Sequence, residues 1–287
     1  MKPAILHGLF RYASRFFSQT EILESLLSVI SPHEVNAVVR KKLGFGNYED
    51  FTVSGEQFFI DVVLTQTLPR GSGIVFDCGA HKGEFARLLV DLPGLKTLYA
   101  FEPIPASREI LRDAMSNFEN VQIVDLAISD CPGTLEFRVS SSNPCSKHAS
   151  IYEEAQLIYN KGGEFVSVPA EAISLDEFSS EHGIDQISFL KLDLEGHEKH
   201  ALEGANKLLS KDSIDVIQIE FTHLNVATKV FLKDLWDLVP RYKMFRLAEN
   251  ELIPLGGYDP FHEVFQYHNL VAISPQAAIW CDLPKVG

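Results

Sequence analysis

The sequence is short of three things: cysteine, positive charge and long apolar runs. It holds four cysteines, Cys78, Cys131, Cys145 and Cys281, in 287 residues. No two of them form a C-x-x-C pair, which removes zinc ribbons and dithiol redox motifs. A few scattered thiols fit a reducing compartment, so a cytoplasmic location is expected. Lys and Arg number 25 against 39 Asp and Glu, a formal net charge of -14 at pH 7. No Lys/Arg-rich run offsets that balance. An acidic chain repels phosphate backbones, and nucleic acid is not an expected partner. No apolar run reaches the roughly 18 residues that would signal a membrane span. The N-terminal stretch is interrupted by His7, Arg11 and Arg15, which does not suit a signal peptide with its unbroken apolar centre. The chain as a whole is 46% hydrophobic and 22% charged, an ordinary globular composition with enough apolar residues for a large core.

What is present begins with helix signals. Leu6, Leu9, Phe10, Ala13 and Phe17 share one side at helical spacing. Such a face docks on its own domain or on a partner subunit, and a homo-oligomer joined through the N-terminal helices is one expected assembly. Ser18 and Glu21 suit a capping box before Ile22, Leu23, Leu26, Leu27 and Ile30. Ser31, Pro32 and Glu34 supply cap, first-turn proline and reciprocal acid. Val35, Val38, Val39 and Leu43 follow, and Gly44 stops the pattern. A third helix is expected over 56–67, and the run from Pro69 to Gly73 then breaks the chain. Residues 1–54 are expected to form a helical segment, and 55–287 the main domain.

From residue 74 strands and helices alternate. Ile74–Cys78 is short and nearly all apolar, as in a strand buried on both faces. Further strands are expected at 98–101, 121–127, 188–193, 214–221, 242–247 and 269–274, with helices over 84–91, 105–117, 198–210 and 228–238. Two β-rich pieces near 134–139 and 164–170 flank a polar stretch. No helix is expected between the last two strands, which suggests a closing hairpin. The alternation predicts an α/β fold, with helices on both faces of a mostly parallel sheet.

The segment Asp77-Cys78-Gly79-Ala80-His81-Lys82-Gly83 leaves the first of these strands and opens a helix. Glycines at 79 and 83 allow a tight turn and close approach of a ligand, as in dinucleotide sites. The full G-x-G-x-x-G is missing, however, and an aspartate at the strand end opposes a pyrophosphate. A ligand carrying a sulfonium and an ammonium, as S-adenosylmethionine does, is favoured there instead. Glu102 ends the next strand, where an acid accepts hydrogen bonds from ribose hydroxyls. Pro103 follows and would wall an adenosine pocket. A nicotinamide-dependent oxidoreductase and a non-catalytic binding module on the same fold stay open beside the methyltransferase reading.

Several segments, in order, resemble the FkbM-type methyltransferases. They are Phe76–Gly83, where Asn is more usual than His81; Ala100–Pro105; Leu126–Gly133; Ser174–Phe178; Phe189–Glu198, a K-x-D-x-E-G-x-E block; and His268–Ala272. The resemblance spans roughly residues 55–275. It implies a Rossmann-like sheet of seven strands in the order 3-2-1-4-5-7-6. It also implies methyl transfer from S-adenosylmethionine, usually to an oxygen of a sugar or related secondary metabolite. On that basis Asp77, Gly79, Ala80, Gly83 and Glu102 would hold the cofactor. Ala127 and its neighbours would line the adenine, and Asp193 would sit where methionine and acceptor meet.

Methyl transfer to a hydroxyl needs alignment of oxygen, methyl and sulfur, and a base for the departing proton. Asp193, Glu195, His197, Glu198 and His200 crowd the carboxyl end of the fourth expected strand, the edge where open α/β sheets bind ligands. Glu220 and His223 end the next strand and would face the same crevice. Asp193, Glu220 and His223 are therefore the candidate catalytic residues. The group Asp193, Glu195, Glu220 and His223 has the chemistry of a divalent-cation site. Position 201 is Ala, though, so H-E-x-x-H is absent, and no metal is expected. The polar segment Ser140–Lys161 is a candidate lid over the acceptor.

Overall fold

A computed structural model describes Ser18, Glu21, Glu24, residues 31–152 and residues 164–280. The chain divides into two compact units, Met1–Leu43 and Gly44–Gly287. In the first, the helix Pro32–Lys42 starts on a capping box: Ser31 Oγ accepts from His33 N, and Ser31 N donates to Glu34. Ser18 and Glu21 exchange the same reciprocal bonds, 2.7 Å from Ser18 N to Glu21 Oε2 and 3.2 Å from Glu21 N to Ser18 Oγ. The expected helical face Leu6–Phe17, and Ile22, Leu23, Leu26, Leu27 and Ile30, lie outside the described residues.

The second unit is built on a mixed sheet. Its strands are β1 (Ile74–Cys78), β2 (Thr97–Phe101), β3 (Val121–Val124), β4 (Ala127–Ser129), β5 (Gly133–Ser140), β6 (Phe165–Ser174), β7 (Ile187–Leu192), β8 (Ile214–Phe221), β9 (Lys243–Ala248), β10 (Glu251–Pro254) and β11 (His268–Ile273). Eight of them form one sheet in the order β10-β9-β11-β8-β7-β1-β2-β3, and β4-β6-β5 form a second. The run from β3 to β8 is parallel; β11, β9 and β10 each pair antiparallel with their neighbours.

This corrects the expected seven-stranded sheet. The eighth strand, β10, folds back from β9 between the two strands read as a closing hairpin. The expected strand over 121–127 also breaks after Val124, and Ala127–Ser129 joins the second sheet. The two β-rich pieces pair with each other there, from Gly133 opposite Ala172 to Ser140 opposite Phe165. Two helices are interrupted as well: Glu198–Glu203 and Asn206–Ser210 replace 198–210, and Leu224–Thr228 and Leu232–Leu238 replace 228–238.

Side chains alternate across the large sheet and feed two cores. Leu190, Ile217 and Phe76 pack on one side beneath Phe178, Leu202 and Leu235. Phe189, Val216 and Val75 pack on the other beneath Phe59, Phe85 and Leu111. The helical stretch Glu56–Thr67, which passes through a π-helical turn at Ile60–Leu64, covers that second face. A π turn rotates the residues after it relative to those before; here Phe59 and Leu64 are both fully buried. All six residues of β7 are buried, Lys191 among them. It is the one charged residue in a central strand whose only other polar member is Ser188.

Candidate active site

A cleft of about 1000 Å³ opens at the carboxyl ends of β1, β2, β7 and β8. One half lies over β1 and β2. There the chain leaves β1 through Gly79 (φ +89°) and His81 (φ +51°), and enters the helix Glu84–Leu89 at Gly83 (φ +85°). Gly79 N and Ala80 N both donate to Phe101 O, at 3.1 and 2.9 Å, which fastens the loop to the end of β2. A Cβ on Gly79 would lie 2.0 Å from the Asp193 carbonyl oxygen, so the loop also presses against the exit of β7. At Gly83 a Cβ would meet Leu111 and Met115 at 2.7 and 3.2 Å. That glycine therefore serves helix packing, and it does not line the cleft. His81 is a residue type that tolerates the left-handed region better than most, as Asn does.

Glu102 is 5% exposed and faces this half. Its Oε2 accepts from His81 N at 2.9 Å and its Oε1 from Ile104 N at 2.8 Å. Burial pushes its carboxyl up to about 7, against the pull of those two N–H donors and of Arg108. Around it stand Ala80, Pro103, Ile104, Leu126, Ala127 and Ile128, an apolar wall. An acid held rigidly above an uncharged, flat-sided pocket suits an adenosine: hydroxyl donors for the carboxylate and a base between apolar side chains.

Asp77 stands elsewhere. Its side chain is fully buried, outside the cleft lining, and neither carboxyl oxygen has a hydrogen-bond partner. It lies beside Lys191 across the β1–β7 register. Burial raises its carboxyl to about 6, and Lys191 opposes the rise. Any influence of Asp77 on a ligand is exerted through Lys191 and the local field.

Lys191 joins the two halves. Its Nζ donates to Asp193 Oδ2 at 2.6 Å and sits 5.0 Å from the centroid of the Phe85 ring. Burial works against the ammonium, but the carboxylates of Asp193, Asp77 and Glu56 more than offset it and hold it above the ordinary lysine value. Glu56 is itself anchored by Ser54 Oγ at 2.7 Å and Gln218 Nε2 at 2.9 Å. Sequence reasoning gave Lys191 and Glu56 no role. A lysine inside a nearly all-apolar strand pattern is the signal that could have found the first.

The other half lies over β8 and β11. Asp193, Glu220, Thr222, His223, Gln266, Tyr267 and Tyr48 line it. Asp193 is 35% exposed. Glu220 is raised well above the usual carboxylate range, by burial first and then by the carboxylates of Asp193, Glu195 and Glu198. Burial lowers His223. The cleft thus brings Asp193, Glu220 and His223 together, while Asp77 and Gly83 remain outside its lining. Glu198 turns back under the β7 exit loop, where its Oε1 accepts from Leu194 N at 2.8 Å and Gly196 N at 3.2 Å. Among the described residues, no three of His, Cys, Asp and Glu are arranged to hold a metal ion.

A strap, residues 141–152, crosses the cleft. His81 Nε2 donates to Cys145 O at 2.9 Å, and Lys147 pairs with Glu84 at 2.9 Å. On the far side Ser150 Oγ donates to Glu195 O at 3.1 Å. Tyr152 ends the strap on His197, with Oη 2.9 Å from Nδ1. Ser129 Oγ donates to Asp130, so His197 Nε2–H donates to Ser129 at 3.0 Å and Nδ1 accepts from Tyr152. That assigns a neutral imidazole, consistent with burial and His200 pushing His197 down to about 4.

Residues 77–247 match the family described as Methyltransferase FkbM domain. The 2-O-methyltransferase NoeI of Sinorhizobium fredii (strain NBRC 101917 / NGR234) is 23% identical over 188 residues, covering 63% of this chain and 76% of its own. Among solved structures, methyltransferase FkbM from Methylobacillus flagellatus KT is 15% identical with a TM-score of 0.43. The match covers 84% of this chain and 59% of that one. The fibrillarin of Aeropyrum pernix, solved with natively bound S-adenosyl-L-methionine, is 11% identical with a TM-score of 0.37 and 76% coverage of each chain.

Proposed function

The chain belongs to the FkbM methyltransferase family and is a methyltransferase that uses S-adenosylmethionine; on that premise we propose that its acceptor is a hydroxyl of a sugar or related glycan. The observation that carries the reading is the division of the cleft. One half matches an adenosine, the other is polar and ends in Glu220 and His223, and Asp193 stands at the junction. S-adenosylmethionine supplies a methyl group on a sulfonium, with a neutral thioether as its leaving group. The residues of this chain align and deprotonate.

Glu102 is placed to accept the ribose hydroxyls. Ala127, Ile128 and Pro103 would flank the adenine. The Asp193 carboxylate already receives one bond from Lys191 and has acceptor capacity left for the ammonium of the methionine portion. Glu220 is the better-placed base. Burial first, and then its anionic neighbours, raise its affinity for a proton, whereas Lys191 draws on Asp193. A hydroxyl between Glu220 and the methyl would be held by His223 and Thr222.

The sugar acceptor draws support from the named activity of the 2-O-methyltransferase relative and from the polar, acid-rich second half. Thermal shift with S-adenosylhomocysteine, followed by transfer of labelled methyl to a glycan panel, tests it. Stabilisation and label on a sugar oxygen are expected. Stabilisation by a nicotinamide dinucleotide and none by the adenosyl ligand would overturn it.

A further inference from the structure

Tyr48 is an aromatic residue left at the mouth of the second half with no evident packing duty. It is 73% exposed, yet its segment is firmly held. Phe45 and Asn47, just before it in the chain, are buried. The Arg246 guanidinium lies 4.0 Å from the Phe45 ring centroid, and the His268 ring meets Phe45 edge-on at 5.0 Å. Gly46 N donates to Tyr267 O at 2.7 Å, and a Cβ on Gly46 would meet Gln266 Nε2 at 2.7 Å. Tyr48 meets the Tyr267 ring nearly at right angles, with centroids 6.0 Å apart. Tyr267 is fixed in turn by Asn269 Nδ2, which donates to its hydroxyl at 3.2 Å. Tyr48 is one of the residues that line the cleft, so its exposed ring is open to a ligand there.

Charge sets the second constraint. The acids lining this end are Asp193, Glu195, Glu220 and Glu56, with Glu49 and Asp50 beside Tyr48; the cation buried among them, Lys191, is bonded to Asp193, and Lys147 and His148 belong to the strap above. A carboxylate, phosphate or sulfate brought to this floor adds to the negative charge that, with burial, already holds Glu195 and Glu220 above the usual carboxylate range. A polyol brings hydroxyl donors that carboxylates accept, and an ammonium is attracted.

We infer that this half is a saccharide subsite in which the Tyr48 ring carries the apolar face of an uncharged or amino sugar, and from which acidic sugars are excluded. The inference rests on the sugar reading of the acceptor given above and adds the residue and the charge class. Aromatic faces give large contact area at little conformational cost, and a sugar ring offers a flat patch of C–H groups to match. The polar side chains then read the hydroxyls from below.

The test is saturation-transfer NMR on the full chain in excess S-adenosylhomocysteine, with methyl glucoside, methyl glucosaminide and methyl glucuronide as probes. Calorimetry first establishes that the adenosyl ligand binds. Signal is expected from the glucoside and glucosaminide, with the glucuronide at least about tenfold weaker. Tyr48→Ala should abolish the signal with unchanged S-adenosylhomocysteine affinity, and Tyr48→Phe should retain it. Equal binding of the glucuronide, an unaffected Tyr48→Ala variant, or no glycoside signal at all would overturn the inference. Failure of the calorimetric step would instead overturn the cofactor reading beneath it.

Discussion

Replacing Lys191 by Met probes the centre of the site. Met keeps the length of the stem and removes the charge. The ammonium is 5% exposed and lies 2.6 Å from Asp193. Taking one partner from a buried ion pair costs about 3–5 kcal/mol. Asp193 is 35% exposed, and water relieves part of its loss. Asp77 has no such relief, being fully buried with both oxygens unpaired. A loss of about 3 kcal/mol at pH 8 is expected. The loss must also depend on pH. Asp77 has a folded-state value near 6, above its ordinary 3.8. Its contribution to stability is full below 3.8 and declines as pH rises through 6. Without Lys191 that folded value climbs further, and the extra loss accumulates from about pH 6 upward, where wild-type Asp77 ionises and the variant's does not. Urea unfolding of both proteins at pH 5 and pH 8 reads the effect. The gap between them should be smaller at pH 5 by more than about 1 kcal/mol. A gap equal at both pH values, or below about 1 kcal/mol at pH 8, would refute the idea that Lys191 neutralises the acids around it.

Other substitutions test the flanks. Glu102→Gln should weaken S-adenosylhomocysteine binding by about 1–3 kcal/mol at pH 8. Because the carboxyl is held near 7, wild-type affinity should rise between pH 6 and 8, and calorimetry on the Gln variant should find that rise gone. Glu198→Gln keeps an acceptor for Leu194 N and Gly196 N while removing a charge that burial pushes up to about 7. Its stability relative to wild type should improve from pH 4.5 to 7 and then level off, by up to about 3 kcal/mol in denaturant titrations. Asp193→Asn should cut turnover on the order of 100-fold or more. Loss of cofactor affinity alongside would mark it as the group that holds the methionine portion, and near-normal turnover would remove it from the chemistry.

The elements most legible from sequence were those whose pattern is enforced locally. Ser31, Pro32 and Glu34 announce a helix start, and the reciprocal bonds are there. Ile74–Cys78 and Ile214–Phe221 are largely apolar because both faces of the central sheet are covered, and they pair as neighbours of β7. β10 escaped because Glu251–Pro254 is four residues at an edge, opening on a glutamate and ending in proline, with no periodicity to read. The break after Val124 escaped because strand membership is decided by partners; Ala127 pairs with Ala172, far along the chain. At the site, Glu102 and Asp193 could be placed from their strand ends alone. The burial of Asp77 could not, since the same residue at the same strand end faces the cleft or the interior according to a single step in the pleat. Lys191 stands out as a cation in a nearly apolar strand, but its partners, like the position of Tyr48 at the cleft, emerge only once the topology shows what lies across from each.

Two non-glycine residues of the cleft loops, His81 and Glu195, hold left-handed backbone at φ +51° and +52°. Each costs about 1–2 kcal/mol relative to a relaxed backbone. Both also fasten the strap, His81 through its ring and Glu195 through its carbonyl oxygen. An engineer seeking heat tolerance would turn first to these positions, since glycine at either relieves the strain. The gain at position 81 would remove the imidazole that fixes Cys145, and at 195 it would take a carboxylate from the cleft floor. Thermostability and turnover should therefore trade against each other most sharply at these two residues, and a stabilised variant is better sought on the surface of the helices that cover the sheet.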